Sequence, residues 1–405
     1  MPVLTNIGAL AQCRQGAQDD NGVISGAALA YDEKVRWVGP AWELPAEFSS
    51  WPKEDAGDRL VIPGLVDCHT HLAFGGWRAD EFALRAKGAT YQEIAARGGG
   101  IVSTVARTRG LDHEALIRRA RGFLTQMSAL GVTTVECKSG YGLERDTELR
   151  QLEAYQHLSD EGPQRIVPTL LAAHVVPPEY RDHRDDYVTL IIETIIPDAA
   201  RLGLARFCDV FVEEGAFSID EARRILRAGT WNGLRPKLHA DQLTAFGGAE
   251  LAGELKAASA DHLEYITEAG IYAMRDAGVV AVSLPIATLY LRQPAMPARR
   301  LIDAGVLVAV ATDFNPGSAP SFHLPLALML ACTLQRMTPA EALSGATWIA
   351  ALAIGVEGDC GSLEVGKAAD FAVIDAPDVN QWLYHFRANA CLRTVIAGRT
   401  IWEAI

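Results

Sequence analysis

The chain has 405 residues, about half of them apolar, and carries a formal charge of −13. That length exceeds a usual single domain, so one large domain with a smaller addition is expected. So acidic a chain would repel nucleic acid and anionic lipid, which excludes the commonest electrostatic partners and leaves small molecules. No apolar run reaches the roughly 18 residues of a membrane span; the best, AGVLVAVATDF, is short and charged at its end. The start, MPVLTNIGALAQC, lacks the basic and long apolar regions of a signal peptide. The 7 cysteines (Cys13, Cys68, Cys137, Cys208, Cys332, Cys360, Cys391) are odd in number and include no C-x-x-C pair. That fits a reducing cytoplasm rather than a disulfide framework.

From residue 1 to about 60 the pattern is one of short strands and turns. GVISGAALAYDEKVRWVG predicts two strands around Tyr31-Asp32-Glu33-Lys34. From 61 to 350 the texture changes. Apolar runs end in polar or Gly-rich turns, and helical stretches such as DHEALIRRARGFLTQMSALG and SIDEARRILRAGTWNG follow them. The runs are RLVIPGLVDCHTH, GVTTVECKSGYG, RIVPTLLAAHVV, FCDVFVEEGAF, PKLHADQ, SADHLEY, VVAVSLP and VLVAVATDFNPGS. Eight runs separated by helices predict an α/β protein with a (β/α)8, TIM-like barrel. Their near-continuous apolar character suits parallel strands buried on both faces. From 351 to 405, GSLEVGKAADFAVIDA and LRTVIAGRTIWE are again β-rich and broken by Gly. The two ends, 1–60 and 351–405, are expected to form one small β-sandwich domain beside the barrel of 61–350.

The chemistry gathers at the ends of these runs. In a strand, positions i and i+2 face one side, so His69 and His71 converge if the strand continues through them. C-terminal strand ends form the active-site face of such a barrel. An H-x-H pair alone also suits two surface histidines. PKLHADQ then places His239 at a strand end, SADHLEY places His262, and VLVAVATDFNPG places Asp313. A carboxylate directly after Val308-Ala309-Val310-Ala311 is costly unless paired, metal-bound or capping a helix. His239 or His262 alone would suit a hydrogen-bonded core histidine. Together, three imidazoles and a carboxylate on one face suit zinc or iron better than magnesium or calcium. Cys68 should point away from Asp67 and His69 and is expected to pack. RGGGIVSTV lacks the lysine of a phosphate-binding P-loop, so Gly98, Gly99 and Gly100 are expected to be a mobile loop near the pocket. His113, His157, His183, His323 and His385 lie in polar or helical contexts and receive no role.

PGLVDCHTH, followed by His239, His262 and Asp313 at later strand ends, resembles the amidohydrolase superfamily. HTHLAFGGWRADEFALRAKGATYQEIAARGGGIVSTVARTR, ECKSGYGL, LLAAHVVP, KLHADQL and ATDFNPGS resemble the imidazolonepropionase family within it, and the similarity runs along essentially the whole chain. The resemblance implies four ligands for one zinc or iron ion: His69, His71, His239 and Asp313. It implies a substrate pocket of Arg78, Tyr141, His174, Gln242, Asn315, Gly317 and Ser318, with His262 near the metal without being a main ligand. The implied reaction is hydrolysis of 4-imidazolone-5-propanoate to N-formimidoyl-L-glutamate, with Asp313 and His262 as catalytic residues. A homodimer is plausible on the same resemblance.

Residue chemistry fits these roles. Asp313 could carry the water's proton to the leaving ring nitrogen, and His262 could hydrogen-bond the developing oxyanion. Arg78 offers a planar fork for a carboxylate, although Asp80 and Glu81 beside it would also suit a surface ion pair. Tyr141 and His174 can hold polar ring atoms, or simply pack. Asn315 and the Gly317 amide sit in a turn that could approach a ligand closely, and Gln242 could merely cap the next segment. Related deaminases of purine or pyrimidine rings carry a proton-shuttling Glu where this chain has Gln242, and a neutral amide cannot shuttle protons. Two-metal relatives need a modified lysine on the fourth strand. RIVPTLLAAHVV has none and Lys138 lies on the strand before it, so one metal is expected. A non-catalytic binding protein on this scaffold would usually have lost ligands, and here every position is filled.

Overall fold

The computed structural model describes residues 1–17, 20–89, 93 and 98–404. Part of the stretch that carries the family resemblance, residues 90–92 and 94–97, lies outside them.

The chain begins with four strands, β1 (Val3–Ala11), β2 (Val23–Tyr31), β3 (Val35–Pro40) and β4 (Lys53–Pro63). The turn predicted at Asp32 to Lys34 is fixed by the Asp32 carboxylate, which accepts from the Lys34 N–H at 2.8 Å. Eight strands then follow with helices between them: β5 (Leu65–Thr70), β6 (Val132–Lys138), β7 (Arg165–Ala173), β8 (Phe207–Val212), β9 (Arg235–Ala240), β10 (Ser259–His262), β11 (Val280–Ser283) and β12 (Val308–Val310). Each pairs in parallel with the next. The chain ends with β13 (Phe371–Ile374), β14 (Cys391–Ile396) and β15 (Arg399–Glu403).

The first and last groups form one seven-stranded sheet in the order β15-β14-β13-β4-β1-β2-β3. Only β1 and β4 pair in parallel within it. Its apolar residues meet in a core of their own. Leu4, Leu29 and Tyr31 come from the start of the chain, Phe371 and Val395 from the end, and the Tyr31 and Phe371 rings lie edge to face at 5.0 Å.

The first predicted run divides where the sequence showed no break. Residues up to Pro63 belong to β4 in the terminal sheet, and β5 of the barrel starts at Leu65. Gly64 is the joint. Its N–H donates to the Asp370 carbonyl at 2.8 Å, and a Cβ there would lie 2.3 Å from Thr133 Oγ1. A change of sheet at one small residue leaves no polar signal in an otherwise apolar run. β12 is also shorter than its run, because Asp313 takes a left-handed conformation (φ 55) that interrupts the ladder.

Closure between β12 and β5 is made by the residues just beyond β12. The Asp313 N–H donates to the His69 carbonyl at 3.0 Å, and the His71 N–H to the Phe314 carbonyl at 2.9 Å. Below them the Asp67 carboxylate accepts from the Thr312 N–H at 3.0 Å and its hydroxyl at 2.6 Å. Apolar strand residues and helices share one core, and Cys68 is buried in it, close enough to feel the charges of Lys237, Asp261 and Glu136. Several inward positions are instead charged: Glu136, Lys138, Asp209, Lys237 and Asp261 are all buried. All seven cysteines are free. Among the described residues no helix is long and apolar enough to cross a membrane.

Candidate active site

Five ionisable side chains meet at the C-terminal ends of β5, β9, β10 and β12. Two groups share His69. His69, His71 and Asp313 form one and His69, His239 and His262 the other, with the donor atoms of each within 4.8 Å of one another. His69 and His71 do converge as their i, i+2 spacing predicts, their rings 5.3 Å apart. His69 and His239 are closer, at 4.6 Å. Asp313 Oδ1 lies 3.4 Å from His69 Nε2 and 3.5 Å from His71 Nε2. No helix starts at Asp313, so it is not a cap; the next helix begins at Leu324.

The tautomers of two rings follow from their neighbours. His69 Nδ1 lies 2.6 Å from Asp261 Oδ2, and His239 Nδ1 lies 3.2 Å from Asp209 Oδ1. A carboxylate only accepts, so each Nδ1 carries a proton, and in the neutral ring Nε2 is left with its lone pair. Both Nε2 atoms are buried without a hydrogen-bond partner, as are His71 Nδ1 and His262 Nδ1. Buried, unpartnered imidazole nitrogens set by carboxylates behind them are what a metal ion needs, and the donor set fits one.

Burial drives the titration of the cluster, and nearby charges divide it. Burial pushes His71 down to about 4 and His262 to about 3, so both are neutral near pH 7. Burial and Lys138 also pull His69 down, but Asp261 and Asp313 outweigh them and hold it up at about 9. Burial alone would raise Asp313, yet the His69 and His71 contacts keep it well below the usual carboxylate range. Burial pushes Glu264 up to about 8; it accepts from the Thr288 hydroxyl at 2.9 Å and its other oxygen lies 3.9 Å from His262 Nδ1.

Around the cluster, the His71 ring stacks on His174 at 5.4 Å, and Tyr141 lies 5.5 Å from His174. His174 Nδ1 donates to the Gly140 carbonyl at 3.0 Å, which leaves Nε2 as an acceptor. The Tyr141 phenol is buried and kept protonated by that burial. Tyr141 sits on, and His174 just after β7 bonds to, a loop held by Glu148. Its carboxylate accepts from the N–H groups of Gly140 (3.0 Å), Gly142 (2.8 Å) and Leu143 (2.8 Å). Gln242 is 8% exposed. The loop after it is tied to Glu213, which accepts from the Leu243 N–H at 2.7 Å. Arg78 Nε is buried without a partner, and the nearest acid is Glu81 at 4.0 Å.

Two expected contacts are used otherwise. The Asn315 side chain donates to the Asp313 carbonyl and Ser318 Oγ at 2.6 and 2.8 Å, and accepts from the Gly317 and Ser318 N–H groups at 2.7 and 2.8 Å. Asn315 and the Gly317 amide therefore organise their own turn, and Ser318 Oγ in turn lies 3.4 Å from Asp313 Oδ2. The Gly100 N–H is not free for a phosphate either. Glu81 takes the Gly100 N–H at 2.8 Å, directly before the helix Ile101–Arg109.

A model of the amidohydrolase family matches residues 235–401. Imidazolonepropionase of Myxococcus xanthus is 50% identical over 390 residues, covering 95% of this chain and 92% of that protein. The chain belongs to the imidazolonepropionase family. Imidazolonepropionase of Geobacillus thermodenitrificans is 48% identical over 368 residues, or 90% of this chain and 87% of that one. Solved structures share the fold at much lower identity. A triazine hydrolase from Arthrobacter aurescens gives a TM-score of 0.76 at 18% identity, over 99% of this chain and 94% of that one. Guanine deaminase of E. coli gives 0.75 at 16%, over 100% of both.

For a member of the imidazolonepropionase family, the sequence alone gave no role to the groups behind the histidines, Asp209, Asp261 and Lys138, nor to Glu148 under the Tyr141 loop. The signal was present for three of them. A charged residue inside an apolar strand run needs a partner, which is the argument that found Asp313. The strand count also needs correcting. RIVPTLLAAHVV is the third barrel strand, and the fourth is β8, which likewise has no lysine. Lys138 is enclosed by acids within the barrel.

Proposed function

We propose that this chain hydrolyses the ring amide of 4-imidazolone-5-propanoate to N-formimidoyl-L-glutamate, a step of histidine degradation. The observation that carries this is its 50% identity to an imidazolonepropionase over 95% of its length, with every implied ligand position filled. His69, His71, His239 and Asp313 would hold one zinc or iron ion. When bound, such an ion makes water more acidic near neutral pH and polarises a carbonyl oxygen.

The chain's own groups supply the rest. Asp313, kept ionised, takes the proton of the attacking water and hands it to the leaving ring nitrogen. His262 is neutral and donates its one N–H to the oxygen on which charge develops. Arg78, with an unpartnered buried Nε, receives the propanoate. His174 Nε2 accepts from a ring N–H, while the Tyr141 hydroxyl, Gln242 and Ser318 offer further polar contacts. Asn315 and Gly317 shape the turn under Arg78. Gln242 argues against a deaminase, because an amide in that position shuttles no proton.

The same proposal takes the enzyme as a cytoplasmic protein with a small-molecule substrate and no nucleic-acid or membrane partner. Its division into a terminal β-unit (1–60 with 351–405) and a catalytic barrel (61–350) belongs to it too, with a homodimer as the assembly to look for by sedimentation. The test is turnover of freshly generated 4-imidazolone-5-propanoate, followed by its ultraviolet absorbance. Expected is rapid loss to formimidoylglutamate, abolished by a chelator and restored by zinc or iron. Metal-loaded protein without turnover would reject the substrate.

A further inference from the structure

A second cluster lies directly behind the histidines. Lys138 Nζ, at the end of β6, is 2.8 Å from Glu136 Oε1, 2.7 Å from Asp209 Oδ2 and 3.5 Å from Asp261 Oδ2, and all four side chains are 0% exposed. Asp261 Oδ2 is the same oxygen that lies 2.6 Å from His69 Nδ1. Asp209 Oδ2 is likewise 3.1 Å from His239 Nδ1. His69 stands on β5 and His239 on β9, four strands apart in a ring of eight. One ammonium therefore joins the two carboxylates that set imidazoles on opposite sides of the barrel. A second buried ammonium, Lys237, lies 3.9 Å from Glu136 and also attracts Asp261, but makes no hydrogen bond.

We propose that Lys138 is a positioning residue for the metal centre, fixing Asp209 and Asp261 so that His239 and His69 present their Nε2 lone pairs to a single ion. The inference rests on the function proposed above. Without the Lys138 ammonium, Glu136 and Asp209 each lose a charged hydrogen bond and Asp261 a close ion contact, and the three buried acids are left with Lys237, which hydrogen-bonds to none of them. Asp209 and Asp261 then lose the contact that fixes the oxygens facing the two rings. Carboxylates behind metal-ligating histidines typically contribute about 10- to 100-fold in metal affinity. A group that orients two of them at once acts on both rings together. A lysine that only neutralised buried charge would stabilise the fold and leave ion binding untouched.

The experiment measures zinc affinity by competition with a chromogenic chelator, with the melting temperature of the metal-free protein as a parallel readout. The variants are K138M, D209N, D261N, the D209N/D261N pair and that pair with K138M. Expected is a loss of about 10- to 100-fold in zinc affinity for K138M, and little further loss when K138M is added to D209N/D261N, because both act through the same contacts. Folded K138M with wild-type zinc affinity overturns the proposal, whatever its melting temperature. Should K138M fail to fold, K138M/E136Q removes one acid with the base; wild-type affinity in that protein overturns the proposal equally, and weakened affinity supports it. Wild-type protein that takes up no zinc and no iron would overturn the proposed function and this inference with it, whereas wild-type uptake with unchanged variants overturns this inference alone.

Discussion

Arg78 owes its position to the absence of a side chain opposite it. A Cβ on Gly317 would lie 1.5 Å from Arg78 Nη2 and 2.1 Å from its Cζ, so any larger residue there forces the guanidinium out of this position. The expected result of G317A is a displaced Arg78, with KM for the propanoate substrate up by about tenfold or more and kcat less affected, as for a lost ground-state contact. R78K should behave alike, because a lysine cannot offer two parallel donors to a carboxylate. Steady-state kinetics on both variants check this; unchanged KM in R78K would remove Arg78 from the substrate pocket. At this scale the sequence was informative about donors and poor about direction. Nothing in NPGS says that Asn315 turns its amide inward to Asp313 and Ser318, because an Asn in a turn can equally face a ligand or its own backbone.

The helix Ile219–Trp231 has a well-defined start. The Ser218 hydroxyl accepts from the Glu221 N–H, and the Glu221 carboxylate accepts from the Ser218 N–H at 2.8 Å, a complete capping box. Arg184 adds contacts of 2.6 and 2.9 Å to the same carboxylate. S218A should cost about 1 kcal/mol, read from urea unfolding. Burial alone would raise Glu221, but Arg184 and Ser218 outweigh it and lower its pKa below the ordinary 4.5. A carboxyl group lowered on folding stabilises above its unfolded value and loses that contribution as pH falls through the folded one. The stability gap between wild type and E221Q should therefore be full at neutral pH and close as pH falls from the ordinary 4.5 through the lower folded value. This helix was legible in SIDEARRILRAG, since its cap and apolar period are local. The helix Arg145–Glu161 was less so. Its buried face includes Glu148 and Gln151, which serve backbone groups of loops rather than an apolar core: Glu148 the loop just before the helix, Gln151 the Ala73 carbonyl far away in sequence.

On the scale of the whole molecule, eight apolar runs sufficed to predict the barrel, and β-rich ends sufficed to predict a terminal sheet. What the runs could not reveal was where the chain leaves one sheet for the other, nor the charged layer within the ring. Both depend on which face of a strand meets which neighbour. Ring closure is also non-local, made by Asp67 and Thr312 from the two ends of the strand order. T312V keeps the shape but withdraws the hydroxyl from a buried carboxylate, and should lower unfolding free energy by about 1–3 kcal/mol. An unchanged urea midpoint would mean that the ring closes without that bond. The donors themselves come from both halves of the chain: His69 and His71 precede its midpoint, and His239, His262 and Asp313 follow it. A break at the exposed turn Leu202-Gly203 would separate them into two fragments, each with an incomplete set. Co-expressed, such fragments become a split protein in which one ion serves as the clasp, and their association on a sizing column should weaken when a chelator is added.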